Sequence, residues 1–174
     1  ISELGGNPVM CKTGHSHVRS TVQHTGAVVG GEFSGHIFFN DRWYGFDDGL
    51  YASVRLLEIL ANYDMTAKQA LEKIMAEFKP SAYTPEILIP VTEAEKFALM
   101  EKLMADCGFK GAIINTIDGL RVEYPFGWGL IRASNTSANL TLRFEADNKD
   151  QLAHIKELFS LELGPFINQV DQYL

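Results

Sequence analysis

The sequence predicts a protein of the α/β class in two parts: a partial three-layer α/β domain over residues 1–80, and a small α+β domain with an antiparallel sheet over residues 86–174. Three observations predict this division. Short apolar runs alternate with helical patterns in the first part, which is typical of α/β layers. Two prolines fall between Lys79 and Pro85 and indicate a linker at 81–85. The second part holds paired apolar runs around Asp118-Gly119, a strong hairpin signal.

The elements of the first part follow from the spacing of apolar residues. Three short apolar runs predict buried strands: Pro8–Lys12, Ala27–Val29 and Ile37–Phe39. Val18 and Val22 lie on one face of a first helix, which Thr13 or Ser16 would cap and which ends near Gly26. A second helix follows Asp47-Asp48, with its apolar residues at helical spacing: Leu50, Val54, Leu57, Leu60 and Ala61. A third helix, Ala67–Phe78, begins at a capping box made by Thr66 and Gln69.

The second part shows a different order of elements. Five segments are predicted to be strands: Ile87–Val91, Ala112–Ile117, Leu120–Tyr124, Leu130–Ile131 and Leu140–Phe144. An amphipathic helix over Ala94–Cys107 is expected to turn four residues inward: Phe97, Met100, Leu103 and Met104. A last helix runs from Lys149 to Leu163 and carries its own apolar face: Leu152, Ile155, Leu158 and Phe159.

Composition excludes several classes of function. The 174 residues carry a net charge of −7, which argues against nucleic-acid binding. No run approaches the ~20 apolar residues that span a membrane, so no membrane partner is expected. Cys11 and Cys107 are far apart and have no metal-ligand spacing, which favours reduced thiols and a cytoplasmic location. The start at Ile1 reads as the tail of an element already under way, so we expect a piece of a longer protein.

The segment Gly31–His36 is the first candidate binding site. Glu32, Ser34 and His36 stand at i, i+2 and i+4, which places them on one face if the segment is extended. Their carboxylate, hydroxyl and imidazole offer the donors and acceptors that a polyol needs, and His15 could add a fourth group. The alternative is that these side chains only satisfy backbone groups or water. Zinc is disfavoured, because His15-Ser16-His17 is not an i,i+4 pair and no cysteine completes a set.

The segment Arg132–Ser137 is the second candidate, between two apolar runs. The guanidinium of Arg132 can engage two oxygens of a tetrahedral anion. The hydroxyl, amide and backbone N–H groups that follow suit its remaining oxygens, from Ser134, Asn135 and Thr136. The alternative is an ordinary polar hairpin turn with a surface arginine.

Four segments resemble the phosphohexomutase superfamily, and within it bacterial phosphomannomutase/phosphoglucomutase. Gly31–His36 resembles the sugar-binding loop of these enzymes, and the run from Arg42 to Tyr51 looks like the segment that follows it. Lys12–Ser16 is similar to the segment that precedes it, and Arg132–Ser137 resembles the phosphate-binding loop of the last domain. One departure is Ala138-Asn139, where the family usually has a proline.

The resemblance implies a fold, a function and a set of binding residues. The fold would be the family's third domain, a sugar-binding α/β domain that is N-terminally incomplete here, followed by its fourth, a phosphate-binding domain like the TATA-box-binding protein. His15, Glu32, Ser34 and His36 would hold the sugar, with the glutamate and serine on the 3- and 4-hydroxyls. Arg132, Ser134, Asn135 and Thr136 would hold the phosphate that is not transferred. The activity implied is interconversion of mannose or glucose 1- and 6-phosphates.

Two motifs of the family are missing from this sequence. The phosphorylated serine loop and the aspartate-rich Mg²⁺ loop do not occur, so no catalytic residue and no metal ligand is assigned. The resemblance implies that Mg²⁺ and glucose 1,6-bisphosphate serve the parent enzyme, and that the chain alone is inactive. It also implies missing N-terminal domains and a sheet edge through which copies could associate.

Two alternatives to this function stay open. One is phosphoglucosamine mutase, which has a similar sugar loop, although the aromatic run Trp43–Phe46 favours the hexose enzyme. The other is a phosphosugar-binding module without catalysis.

Overall fold

The computed structural model describes residues 1–174 as two units, Ile1–Lys79 and Pro80–Leu174. Both contain helices and strands, and both sheets are antiparallel, which confirms the mixed α/β class. A short 3-10 helix stands near each end, at Ser2–Leu4 and Val170–Gln172. None of the helices has the length and apolar character that crossing a membrane requires.

The first unit contains three helices and two strands. In chain order they are α1 (His15–Thr25), β1 (Val29–Gly31), β2 (Ile37–Phe39), α2 (Gly49–Ala61) and α3 (Ala67–Ala76). The helix predictions are confirmed, including the capping box of Thr66 and Gln69. The predicted N-cap of α1, Thr13 or Ser16, was wrong. The N-cap residue is Gly14, and no side chain makes a capping hydrogen bond there.

The strands of the first unit differ from expectation. Residues 8–12, predicted as a buried strand, form no strand, pair with no other strand and are mostly exposed. β1 begins at Val29 rather than Ala27, and Val28 and Val29 are exposed instead of buried. Gly30 lies inside β1, where a Cβ would come within 2.6 Å of Val22 on α1, so a side chain would not fit. This close approach lets α1 pack on the two-stranded sheet.

The buried core of the first unit is small. It consists of Val18, Val22 and Phe38, with Cys11 and Ala27 packed against them. The apolar face of α2 is not covered: Leu50 is 83% exposed and Leu57 is 62% exposed. No residue of α2 is buried, although its spacing of apolar residues is that of an amphipathic helix.

The second unit is built on a six-stranded antiparallel sheet. Its strands are β3 (Ala82–Tyr83), β4 (Ile87–Pro90), β5 (Ile113–Asn115), β6 (Leu120–Tyr124), β7 (Gly127–Ala133) and β8 (Asn139–Ala146). The order is β3-β8-β7-β6-β5, and β4 also pairs with β8. The Asp118-Gly119 hairpin joins β5 and β6, as predicted.

Two helices, α4 (Lys96–Asp106) and α5 (Lys149–Leu163), pack on this sheet. The core between them alternates along the strands, as in Leu140, Leu142 and Phe144, each fully buried. The prediction of which α4 residues face inward was partly wrong. Met100 and Leu103 are buried, but Phe97 and Met104 are exposed and Lys96 is buried instead. The buried face of α4 is therefore shifted from the predicted face toward Lys96.

The segment expected as a linker, 81–85, is part of the second unit. Ala82 and Tyr83 pair with Ala146 and Glu145 on β8. Thr84 is buried, and its N–H and hydroxyl oxygen both bond to the backbone of Phe144. The division between the units lies at Lys79 and Pro80. Proline content alone did not distinguish a linker from an edge strand, where prolines are also tolerated.

Candidate functional site

The segment Gly31–His36 forms the tight turn between β1 and β2. Gly35 N–H donates to the Glu32 carbonyl at 3.0 Å, and Glu32 N–H donates to the His36 carbonyl at 2.9 Å. Gly35 has φ +92°, which favours glycine. The segment is therefore a turn, and the shared face that an extended segment would give to Glu32, Ser34 and His36 does not apply. Ser34 and His36 are exposed on the turn.

Glu32 connects this turn to the start of α1. Its Oε1 accepts a hydrogen bond from the Gly14 N–H at 2.7 Å, and His15 is the next residue. Its other oxygen, Oε2, is buried and has no hydrogen-bond partner. Buried acceptors are nearly always paired, so an orphaned carboxylate oxygen marks a place for a donor. The structure thus brings Glu32, Ser34 and His36 together on one turn, with His15 beside it.

Asp47 fixes the imidazole of His36. The Nδ1 atom of His36 lies 2.6 Å from Asp47 Oδ2, and Asp47 Oδ1 accepts from the Ile37 N–H at 3.3 Å. An Nδ1–H that donates to the carboxylate leaves Nε2 as the free nitrogen. Sequence reasoning missed this role, because Asp47-Asp48 looked like a helix cap. Asp48 alone is the cap of α2, accepting from the Tyr51 N–H.

The aromatic run after β2 is anchored to α2 by ion pairs. Arg42 makes a bidentate pair with Glu58, at 2.8 and 2.9 Å. Arg55 donates to Asp41 at 2.9 Å, and the ring of Trp43 stacks on Tyr51 with centroids 4.2 Å apart. The hydrogen bond from Arg55 lowers the pKa of Asp41, and the one from Arg42 lowers the pKa of Glu58. These contacts hold the segment that carries Asp47.

The predicted phosphate segment forms the end of β7 and the loop to β8. Arg132 is half-buried in β7, Asn135 and Thr136 are exposed, and Ser134 is buried. The Ser134 hydroxyl accepts from Ser137 Oγ at 2.9 Å and from the Thr136 N–H at 3.4 Å. The loop is thus closed by its own hydroxyl groups, without the proline that the family pattern usually has.

Lys96 lies beneath this loop, and sequence reasoning missed it. Its Nζ donates to the carbonyl oxygens of Ser134 at 2.8 Å and Ser137 at 3.0 Å. It also forms an ion pair with Glu93 at 2.8 Å. The lysine is 2% exposed. No local pattern signals such a contact, because the partners are about forty residues away in the chain.

The Asp118-Gly119 turn, predicted as a hairpin, lies close to Arg132. Gly119 has φ +83°, and a Cβ on it would come within 2.6 Å of Arg132 Cβ and 2.4 Å of the Ile131 carbonyl oxygen. Only glycine fits there without displacing β7. The turn therefore determines where the backbone of Arg132 lies.

The residues present do not fit a divalent metal ion. The structure has no group of three or more His, Cys, Asp or Glu side chains that could hold one. Asp47 and Asp48 are each committed to other contacts, as described above.

Two family models match the chain, one for each unit. The model described as phosphoglucomutase/phosphomannomutase, alpha/beta/alpha domain III, matches residues 1–78. The model for the phosphoglucomutase/phosphomannomutase C-terminal domain matches residues 86–161. Together they account for most of the chain.

Individual proteins show the same similarity. A phosphomannomutase/phosphoglucomutase of Pseudomonas aeruginosa is 50% identical over 94% of this chain and 34% of its own length. A phosphoglucomutase of Neisseria gonorrhoeae is 48% identical over 96% of this chain and 36% of its own. The crystal structure of a phosphoglucomutase/phosphomannomutase family protein from Burkholderia thailandensis has a TM-score of 0.85 and 46% identity, covering 97% of this chain and 34% of that one. The chain thus spans about a third of the length of these relatives.

Proposed function

The chain belongs to the phosphoglucomutase/phosphomannomutase family, and from this premise we propose that it recognises a hexose phosphate. The first unit binds sugar hydroxyl groups, and the second unit binds phosphate. Both residue sets are those expected from the sequence: His15, Glu32, Ser34 and His36 for the sugar, and Arg132, Ser134, Asn135 and Thr136 for the phosphate. The buried, unpartnered Oε2 of Glu32 carries the proposal.

Sugar recognition is supported by the chemistry of the β1–β2 turn. A sugar hydroxyl that donates to Glu32 Oε2 would remove the cost of an unpaired buried carboxylate oxygen. The Nε2 of His36, with Nδ1 held by Asp47, can accept or donate a second bond. Hydrogen bonds to the 3- and 4-hydroxyls do not distinguish glucose from mannose, because these sugars differ only at C2. Either sugar is then a substrate.

Phosphate recognition is supported by the β7–β8 loop. A guanidinium beside a turn of small polar residues can give a phosphate a bidentate bond and several N–H donors. Ser134 is buried and its hydroxyl already accepts two bonds within the loop, so it contributes mainly by closing the loop. Arg132, Asn135 and Thr136 are the direct contacts.

For the longer protein, we propose reversible interconversion of hexose 1- and 6-phosphates. The sugar turns so that C1 and C6 exchange places, which roughly exchanges O3 and O4 and so preserves the grip. Glucose 1,6-bisphosphate is the intermediate and activator. The Mg²⁺ site and the phosphorylated serine belong to other parts of the longer protein, so the 174-residue chain alone is inactive. The remaining domains are its natural partners in a cytoplasmic protein.

Association of copies is part of the same proposal. The two-stranded sheet of the first unit ends in exposed Val28 and Val29, and unpaired strand edges invite pairing. Light scattering across a range of concentrations measures it, and a constant monomer mass would contradict it.

Calorimetric titration with α-D-glucose 1-phosphate tests the function. Glu32→Gln and Arg132→Met should each weaken binding at least tenfold, because one removes the carboxylate charge and the other the guanidinium. Lys110→Met is the matched control, since Lys110 is exposed and outside both loops. Mannose 1-phosphate should bind within about threefold of the glucose compound.

Two outcomes would overturn the proposal. One is the absence of binding at millimolar glucose 1-phosphate. The other is equal weakening by Lys110→Met, which would indicate a general charge effect. Comparison with glucosamine 1-phosphate decides the substrate class, since tighter binding of the amino sugar would favour phosphoglucosamine mutase.

A further inference from the structure

Lys96 occupies a place that is unfavourable for a lysine on two grounds. It is 2% exposed, and lysine is almost never fully buried unless it is paired. It is also the first residue of α4, where the helix dipole disfavours a positive charge. Some other interaction must account for this position.

The contacts of Lys96 account for it. The ammonium ion has three protons, and it has three partners: the Ser134 carbonyl, the Ser137 carbonyl and the Glu93 carboxylate. Two of the three belong to the β7–β8 loop and flank the exposed residues Asn135 and Thr136. The lysine therefore binds a backbone carbonyl at each end of the loop.

The direction of these bonds determines where the loop N–H groups point. In a planar trans peptide, the N–H is directed opposite to the C=O. A Ser134 carbonyl drawn toward Lys96 turns the Asn135 N–H away from it, and the Ser137 carbonyl does the same for Ala138. Neither of these N–H groups donates to another backbone group. Outward, unpaired N–H groups in a turn are a favourable anion site.

We propose that Lys96 is a positioning residue for phosphate, which holds two loop carbonyls inward and thereby presents the Asn135 and Ala138 N–H groups to the anion. This inference rests on the proposed phosphate-binding function of the loop. Lys96 does not touch the phosphate, and its effect is exerted through the backbone.

The test is an NMR titration of the ¹⁵N-labelled 174-residue chain with α-D-glucose 1-phosphate. In the unsubstituted chain, the amide signals of Asn135 and Ala138 should shift with one midpoint. Lys96→Met keeps the length of the side chain without its donors, and should raise that midpoint concentration at least tenfold while the signals of β6 and β7 stay in place. Lys102→Met on the exposed side of the same helix is the control and should change it less than twofold.

A second measurement on the unsubstituted chain applies even if Lys96→Met does not fold. The Lys96 ammonium signal should be visible, because burial slows its exchange with water, and should move with the same midpoint as Asn135. An unmoved ammonium signal at saturation, or unchanged binding by a folded Lys96→Met chain, would overturn the inference. The absence of any loop shift in the unsubstituted chain would instead overturn the proposed function on which it rests.

Discussion

The two units of this chain bury very different amounts of apolar surface. The first has a core of three buried residues and leaves the apolar face of α2 open. The second encloses sixteen buried residues between its sheet and two helices. The contrast shows that an amphipathic pattern predicts which side of a helix is apolar, and does not predict whether anything covers it. The proposed phosphate loop therefore lies on the unit with the larger core, and the proposed sugar loop lies on the unit with the smaller one.

The largest effect on stability is expected from a cavity created in the core of the second unit. Phe144 is fully buried and packs edge-on against Phe159, with ring centroids 4.9 Å apart. Phe144→Ala should lower the free energy of unfolding of the second unit by about 3–5 kcal/mol. Urea denaturation in a Trp43→Phe background measures this, with Trp128 as the reporter. Phe38→Ala in the first core should leave that transition unchanged, and a shared loss would show that the units unfold together.

An overpacked core gives a smaller effect. A Cβ on Gly129 of β7 would come within 2.4 Å of the Phe159 ring. Gly129→Ala should therefore cost about 1–3 kcal/mol in the same assay. Gly108→Ala is the control, because nothing lies within 4 Å of its Cβ position. Equal stability of the two variants would mean that the second core is looser than its burial indicates.

A substitution on the open face of α2 should change the free energy of unfolding little and should change self-association more. Leu57→Gln replaces a side chain that is 62% exposed, so the free energy of unfolding should change by less than about 0.5 kcal/mol. Concentration-dependent light scattering should fall, because the exposed apolar patch becomes smaller. A loss of more than about 1 kcal/mol would show that the face is covered and would contradict the contrast.

The smallest effect concerns acid stability of the first unit. The pKa values of Asp41 and Glu58 are lowered below their ordinary 3.8 and 4.5 by Arg55 and Arg42. Their stabilising contribution is complete above those ordinary values, and it is lost as pH falls below them. Glu58→Gln should flatten the acid dependence of Trp43 fluorescence, whereas Glu77→Gln at an exposed site should not. If Glu58→Gln and the unsubstituted chain showed the same acid dependence, the ion pairs would not contribute to the stability of this unit.

Local signals in the sequence predicted most of the elements. The capping box of Thr66, the Asp118-Gly119 hairpin and the apolar spacing of α5 each depend on residues within a few positions. The turn at Gly35 had a local signal too, since glycine is favoured at the last position of a type I turn. The polar residues at i, i+2 and i+4 were considered only for an extended segment, so this turn was not predicted.

The supporting residues of the site had no local signal. Lys96 was not among the residues expected to face inward, and the two carbonyl groups that it binds are far along the chain. Asp47 contacts a histidine eleven residues earlier, which depends on the path of the loop between them. The candidate binding residues could be predicted as types, whereas the groups that orient them required the three-dimensional structure.

Asp47 and Asp48 are adjacent residues: Asp47 is bonded to His36 of the β1–β2 turn, and Asp48 is bonded to the first turn of α2. Unfolding of the first turn of α2 would therefore be expected to disturb Asp47 and its contact with the His36 imidazole. A ligand bound to that imidazole would then oppose the unfolding. Ligand binding and the local folding of α2 are then thermodynamically linked, because a ligand that binds only the folded form stabilises that form. A sugar phosphate should slow amide hydrogen exchange in α2, although none of the proposed sugar-binding residues lies in that helix.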